Sequence, residues 1–388
     1  MRAFEGIRVF DATQGVAGPH CAMLLAQHGA DVVKVEPLAG DWGRAIGKKH
    51  GEHCAYGLSV NRGKRSIALD LKHAEGLAIA QKLAFEADVV LESFRPGVMG
   101  RFGLDYASVK ARNPKTIYLS VTGYGQQGPY SNRPVTDSVI QAYSGWMSIN
   151  RDKDGLPQRI SIIAIDVMTG LYAFQAVAPA LFLRERTGEG QYLDVPLAAA
   201  AAAFQAGKMI EYTLEGAEPS VLGAPLGTFK TQDGFINMNA RRDTHFRALC
   251  DMIGQPDWKT DPRFTTPEGR IANEAALMAV IRPAMERKTS DEWLGLLESA
   301  DILVAKVNDY GDLFEDAQVK AVDQVVWLDQ KGFDRPLPVP QIPGLPAIEP
   351  GGFLAHVPVP GEQTDAILAE LGFDADRIAG LRADKAIR

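Results

Sequence analysis

Only three cysteines occur in 388 residues, Cys21, Cys54 and Cys250, and no two of them form a C-x-x-C. An odd, scattered set excludes a disulfide framework and fits a reducing cytoplasm, with each thiol read as a small core residue. Blocks of like charge are missing as well. The 41 Lys and Arg are interspersed with 48 Asp and Glu, for a net charge of −7. That pattern removes nucleic acid as a partner and leaves room for a phosphorylated small molecule. Long apolar runs are absent. The most apolar stretch, "VPLAAAAAAFQAGKMI", is too short and mild to span a bilayer, so no membrane partner is expected. The opening "MRAFEGIRVFDAT" reads as a lead into a strand, not a signal peptide. No internal repeat is present. What remains is ordinary globular composition, 46% apolar and 23% charged, at a length that suits two domains.

One stretch looks like a nucleotide motif. "TGYGQQGP" (Thr122 to Pro129) contains G-x-G-x-x-G, and the β-branched "TIYLSV" before it reads as a strand. A dinucleotide site also needs a helix opening through the glycines. Pro129 and Pro134 forbid one, so the stretch is a loop and the redox reading fails.

The first third of the chain alternates strands with helices. "IRVFDA", "ADVVKVEP", "DVVLESF" and "TIYLSV" read as strands, and "PHCAMLLAQHG" and "HAEGLAIAQKLAFEA" as helices. Short apolar strands separated by single helices predict a parallel sheet with both faces covered, and ligands at the strands' carboxyl ends. A long helix is predicted from about Val167 to "RERTGEG", with Gly188 as its C-cap. "TFKTQDGFINMN" predicts a hairpin, and three helical patterns follow it in what reads as a small separate domain. The Pro- and Gly-rich "RPLPVPQIPGLPAIEPGG" reads as a strap. Two C-terminal helices then return to the first domain.

From residue chemistry alone, Asp166 in "IIAIDVMTG" is a helix N-cap, and Asp137 in "PVTDSVIQAYSG" caps a helix beginning near Ser138. Several stretches taken together say more. "GPHCAMLLAQHGADVVKVEP", "NRGKRSIALDLKHAEG", "ESFRPGVMGRFGLDY", "NPKTIYLSVTGYGQQGP", "AIDVMTG" with "LRERTGEGQYLDV", and "DPRF" occur in this order. The chain thereby resembles the class III CoA-transferase family, which includes formyl-CoA and carnitine-CoA transferases. The resemblance runs over essentially the whole length.

That resemblance implies an α/β fold. It comprises a Rossmann-like large CoA-binding domain from both termini (1–200 and 345–388) and a small central α+β domain (225–325). Linkers at 201–224 and a Pro-rich 326–344 connect them, and two subunits interlock as a homodimer. It implies Asp166 as a nucleophile, kept ionised by its helix N-terminus, with Asp137 beside it. Coenzyme A thioesters are the substrates, and neither a tightly bound cofactor nor a metal is expected. The CoA contacts implied are Gln14, Val16 and Ala17 after the first strand, Lys34 and Arg44, and Arg62, Lys64 and Arg65 in "NRGKRS". Ser93, Arg95, Val98 and Arg101 in "SFRPGVMGR" complete the set. The bland reading of each basic residue is a solvated surface charge. Gly223, Ala224 and Gly227 in "LGAPLG" match a loop that covers the site in the family, though with fewer glycines than its richest form.

Departures bear on substrate. Formyl-CoA transferase has glutamine and tyrosine where this chain has Val16 and Thr136, so formyl or oxalate specificity is not supported. The related racemases carry a catalytic histidine at the position of Thr136, and threonine cannot act as that base. A racemase and a silent CoA-binding protein stand as the rival readings. Trp42 falls near a position that shapes the acyl pocket. Arg241 and Arg242 read either as surface charges or as contacts for a second carboxylate.

Overall fold

The structure, a computed structural model, describes residues 2–217 and 221–388. Residues 218–220, part of the expected 201–224 linker, lie outside it. Two compact units are present, Met1–Gly207 with Asp323–Arg388, and Lys208–Val322.

The first unit is built on six parallel strands: β1 (Arg8–Asp11), β2 (Asp31–Glu36), β3 (Arg65–Ala68), β4 (Val89–Glu92), β5 (Ile117–Ser120) and β6 (Tyr192–Asp194). Their order is β3-β2-β1-β4-β5-β6, so the direction of winding reverses between β1 and β4. Alternate residues explain the two cores. Val9, Val89, Leu91, Ile117 and Leu119 face one side, while Phe10, Val90 and Tyr118 face the other. The first face is covered by α1 (Ala17–Gln27) and α4 (Ala164–Thr187), the second by α2 (Ala74–Phe85). Both faces are therefore apolar, as a parallel sheet requires. The C-terminal α10 (Thr364–Glu370) and α11 (Ala375–Ala383) complete the second face with Ile367, Leu368, Ile378 and Leu381.

α4 is 24 residues long and is the helix, among the described residues, long and apolar enough to cross a membrane. Its Ile165, Ala173, Val177 and Leu181 instead pack in the core. It starts at Ala164, and Gly188 ends it at φ 75°, the left-handed region glycine tolerates. Two shorter helices, α3 (Asp137–Tyr143) and α5 (Leu197–Phe204), flank its first half. The next helix, α6 (Ala206–Glu215), occupies much of the expected linker. Within the Pro-rich strap, strands β10 (Val325–Leu328) and β11 (Leu337–Pro340) pair antiparallel.

The second unit has a three-stranded antiparallel sheet, β7 (Leu226–Lys230), β8 (Phe235–Asn239) and β9 (Leu303–Lys306), in the order β9-β8-β7. Ile236 and Met238 point into its core while Phe235 is exposed, the period-two signature of a half-covered sheet. Helices α7 (Asp243–Met252), α8 (Glu274–Met285) and α9 (Ser290–Glu298) supply Phe246, Leu249, Leu277, Ile281 and Trp293 to that core.

Candidate active site

The carboxyl ends of β1, β4 and β5 meet where the strand order reverses, and a cavity of about 410 Å³ opens there. A crevice at that point is where open α/β sheets bind ligands. Three of its walls are loops that follow these strands. Gln14, Val16 and Ala17 follow β1 and lead into α1, Ser93 follows β4, and Val121, Thr122 and Gly123 follow β5. The Gln14 amide donates to Ser93 Oγ at 2.9 Å, tying two of the loops across the reversal. "TGYGQQGP" is one of these walls. Thr122 Oγ1 accepts from the Gly125 amide at 3.0 Å, and Gly123 is needed because a Cβ would meet Val135 Cγ1 at 2.3 Å.

Asp137 and Asp166 both line the cavity. Asp137 does not cap its own helix. It is the first residue of α3, and its Oδ2 accepts from the amides of Ile165 (2.7 Å) and Asp166 (3.2 Å) in the first turn of α4. Its Oδ1 accepts from Gln141 Nε2 at 2.6 Å. Asp137 thus fills the role of a cap for α4, whose N-cap position, Ile163, offers no side-chain bond.

Asp166 stands in the first turn rather than at the cap, so its carboxylate is free of that duty. It accepts no hydrogen bond from the described residues. Burial, then the nearby negative charge of Asp137, push its carboxyl up from 3.8 to about 7. The expectation of a carboxylate kept firmly ionised by its helix terminus is therefore corrected. Desolvation and the Asp137 charge both act against ionisation.

The expected CoA contacts divide. Gln14, Val16, Ala17 and Ser93 line the cavity, together with Trp42. Lys34, Arg44 and Lys64 do not, because their donors are spent inside the protein. Lys34 is fully buried between Asp41 (3.0 Å) and the Thr13 carbonyl (2.9 Å). Arg44 holds Glu36 with two bonds of 2.8 Å and donates to the Pro358 carbonyl. Lys64 Nζ reaches Asp11, the Pro19 carbonyl and Asn61, each at 2.9 Å. Burial alone raises the Asp11 carboxyl, but Lys64 and Lys34 overcome it and leave it lowered.

These three cations are the scaffold beneath the cavity. Asp41, neutralised by Lys34, accepts from the Gly15 amide (3.0 Å) and the Gly43 amide (2.8 Å), fixing the loop that carries Trp42. The Trp42 ring lies on Gly15, where a Cβ would stand 2.5 Å from it.

Arg65 pairs with Asp31 and Glu370 at the amino ends of the strands, the opposite edge from the cavity. Arg62 is buried, and its Nε lacks a partner. Arg95 lines a second cavity of about 350 Å³ with Glu92, Tyr106 and Tyr192, while Val98 and Arg101 bound the adjacent short helix. Gly223, Ala224 and Gly227 belong to the second unit, where Ala224 is buried and its carbonyl accepts from Arg270 Nε at 3.2 Å. Gly227 sits in β7, opposite Met238. Arg241 and Arg242 are exposed residues of that unit.

Several lining residues were given no role from the sequence, among them Ile46, Arg159, Ile162 and Ile163. Arg159 lies between elements in "LPQRIS", where no motif marks it. Thr136 also lines the cavity, its hydroxyl 3.3 Å from that of Ser138, and neither group is a base at neutral pH.

The family description "CoA-transferase family III" matches residues 4–364. The succinate–glutarate CoA-transferase of Agrobacterium fabrum is 35% identical over 381 residues, 95% of each chain. The acetyl-CoA:oxalate CoA-transferase of Acetobacter aceti is 35% identical, over 83% of this chain and 85% of that one. A solved structure of a CaiB/BaiF family protein from Brucella suis superposes with a TM-score of 0.85 at 34% identity, covering 95% of this chain and 99% of that one. The chain belongs to CoA-transferase family III. It is a CoA-transferase, an enzyme that moves CoA from an acyl-CoA to a carboxylic acid.

Proposed function

We propose that Asp166 is the covalent nucleophile and that the acceptor is a short dicarboxylic acid. The observation behind the first part is a half-buried carboxylate that faces the cavity, accepts no bond from the described residues and is held at about 7. Such a group is ionised often enough to attack at neutral pH and is basic enough to be a competent nucleophile.

The steps balance without a base. The Asp166 carboxylate attacks the donor thioester carbonyl, the C–S bond breaks, and CoA thiolate leaves an acyl-aspartyl anhydride. The thiolate attacks the aspartyl carbonyl and expels the donor acid, which departs with an Asp166 oxygen. An aspartyl-CoA thioester remains. The acceptor carboxylate attacks that thioester, forming a second anhydride and releasing thiolate. Thiolate then attacks the acceptor's carbonyl, giving the new acyl-CoA and restoring Asp166 with an oxygen from the acceptor. Each tetrahedral step develops an oxyanion. Ala17 and Gly18, which open α1, line the same cavity, and their amides, among the unpaired donors of a helix start, are the groups suited to receive it. Asp137 positions Asp166 by holding the first turn of α4.

The strand order is that of a Rossmann-like sheet, which supports placing the CoA thioester at the reversal. Arg95 and Arg101, both exposed, are the cations we assign to the CoA phosphates. Relatives named for glutarate and oxalate support the dicarboxylic acceptor. A homodimer is supported by exposed apolar side chains. α4 presents Leu171, Phe182 and Leu183, and in the second unit α6 presents Ile210, Tyr212 and Leu214. Three free, buried cysteines suit the cytoplasm.

The test is hydroxylamine trapping. Incubation with acyl-CoA and hydroxylamine should leave a hydroxamate on the Asp166 peptide, read by mass spectrometry. A turning-over enzyme whose only hydroxamate lies elsewhere overturns the assignment.

A further inference from the structure

The cavity that holds Asp166 has one basic side chain among its described lining residues, Arg159. Arg159 is exposed, and no carboxylate, carbonyl or ring of the described residues engages its guanidinium. Within the first unit, every other cation predicted from the sequence to face the substrate either is locked in an internal pair or is not among the residues lining this cavity. A free guanidinium offers five N–H donors in a planar fork that matches a carboxylate.

Its placement is not casual. The next amide, that of Ile160, donates to Gln141 Oε1 at 3.0 Å. The other end of the same Gln141 side chain donates to Asp137, which in turn holds the amides of Ile165 and Asp166. Arg159 and Asp166 are thus tied to one hydrogen-bonded frame. On the other side, Gln158 is fixed by Asn150 through bonds of 2.7 and 2.8 Å, so the segment enters the cavity from a closed turn.

A dicarboxylic acceptor brings two negative charges into a cavity already lined by two acids. Its reacting carboxylate must approach Asp166, and its second one needs a counter-charge. We infer that Arg159 reads the second carboxylate of the acceptor and is the residue that makes this enzyme prefer dicarboxylic over monocarboxylic acids. The inference rests on the assignment of this cavity as the transfer site, and it moves the second-carboxylate role away from Arg241 and Arg242.

The experiment compares the intact enzyme with Arg159→Gln and Arg159→Lys. The acceptors are oxalate, succinate and glutarate, each against its monocarboxylic counterpart, with acetyl-CoA or butyryl-CoA as donor. Arg159→Gln should lower kcat/KM for the preferred dicarboxylate by about 10- to 100-fold, the range of one lost charge-assisted pair. It should change the monocarboxylate by less than about threefold and leave the donor KM in place, while Arg159→Lys recovers part of the loss. If only succinyl-CoA serves as donor, its KM must rise together with that of the acceptor, because both carry a distal carboxylate. Equal losses on both acceptor classes, or a raised KM for acetyl-CoA or butyryl-CoA alone, overturn the proposal. The hydroxamate yield at Asp166 separates the two assignments. Acceptor preference lost without any Asp166 hydroxamate in either protein would spare Arg159 and remove the nucleophile.

Discussion

Replacing Asp166 by asparagine should stabilise the protein at alkaline pH while abolishing transfer. The wild-type carboxyl is raised from 3.8 to about 7, first by burial and then by Asp137. Between those two values the native state holds a proton that the unfolded chain has lost. Stability from this group is therefore complete below 3.8, falls as pH rises, and is gone above about 7. Three units at about 1.36 kcal/mol each give about 4 kcal/mol, reduced to about 2–3 because the group is only half-buried. Asparagine has nearly the same shape and does not titrate. Urea unfolding of both proteins, at one protein concentration, is measured near pH 5 and again near pH 8. The stability advantage of the variant should grow by about 2 kcal/mol across that interval. A difference that stays constant to within about 0.5 kcal/mol would refute the claim that this carboxyl is desolvated and perturbed.

Other outcomes follow from the same geometry. Asp137→Asn keeps an acceptor for the α4 amides and removes the adjacent charge, so the acid limb of the pH–rate profile should move down by about half a unit or more. An unmoved limb would mean burial acts alone. Lys64→Met removes the cation in direct contact with buried Asp11, leaving only Lys34 nearby, and should cost about 3–5 kcal/mol in urea unfolding. A loss under about 1 kcal/mol would show that the pair is not structural. Gly43→Ala drives a Cβ to 2.5 Å from the Gly15 carbonyl oxygen, a backbone atom that cannot swing away. It should cost about 1–3 kcal/mol and raise the acyl-CoA KM by moving the Trp42 wall. Unchanged kinetics would detach that wall from substrate binding.

Much of the architecture was legible because it is written in local patterns. The four apolar strands, the long helix with its glycine stop and the "QDG" hairpin stand where periodicity and turn chemistry put them. β3 was missed because "RSIA" is four residues long and pairs on one side only, as an edge strand. The start of α4 was misplaced because its cap comes from Asp137, 28 residues away, which no local rule anticipates. The cations were the larger error. A lysine in "VVKVE" sits in a strand buried on both faces and must enter the protein, so Lys34 carried a signal that went unread. Arg159 carried none, because its importance comes from which walls the fold brings together.

The central claim is that both carboxylates pass their oxygen through Asp166, and isotope transfer tests it directly. Acceptor acid labelled with heavy oxygen in its carboxylates would be turned over with unlabelled acyl-CoA. One heavy oxygen should enter the Asp166 carboxylate in the first turnover and both positions should become heavy as turnover continues, with one heavy oxygen appearing in the donor acid released from the second turnover on. Sustained turnover with no label in either would mean that CoA passes between the two acids without Asp166, and the mechanism would fall.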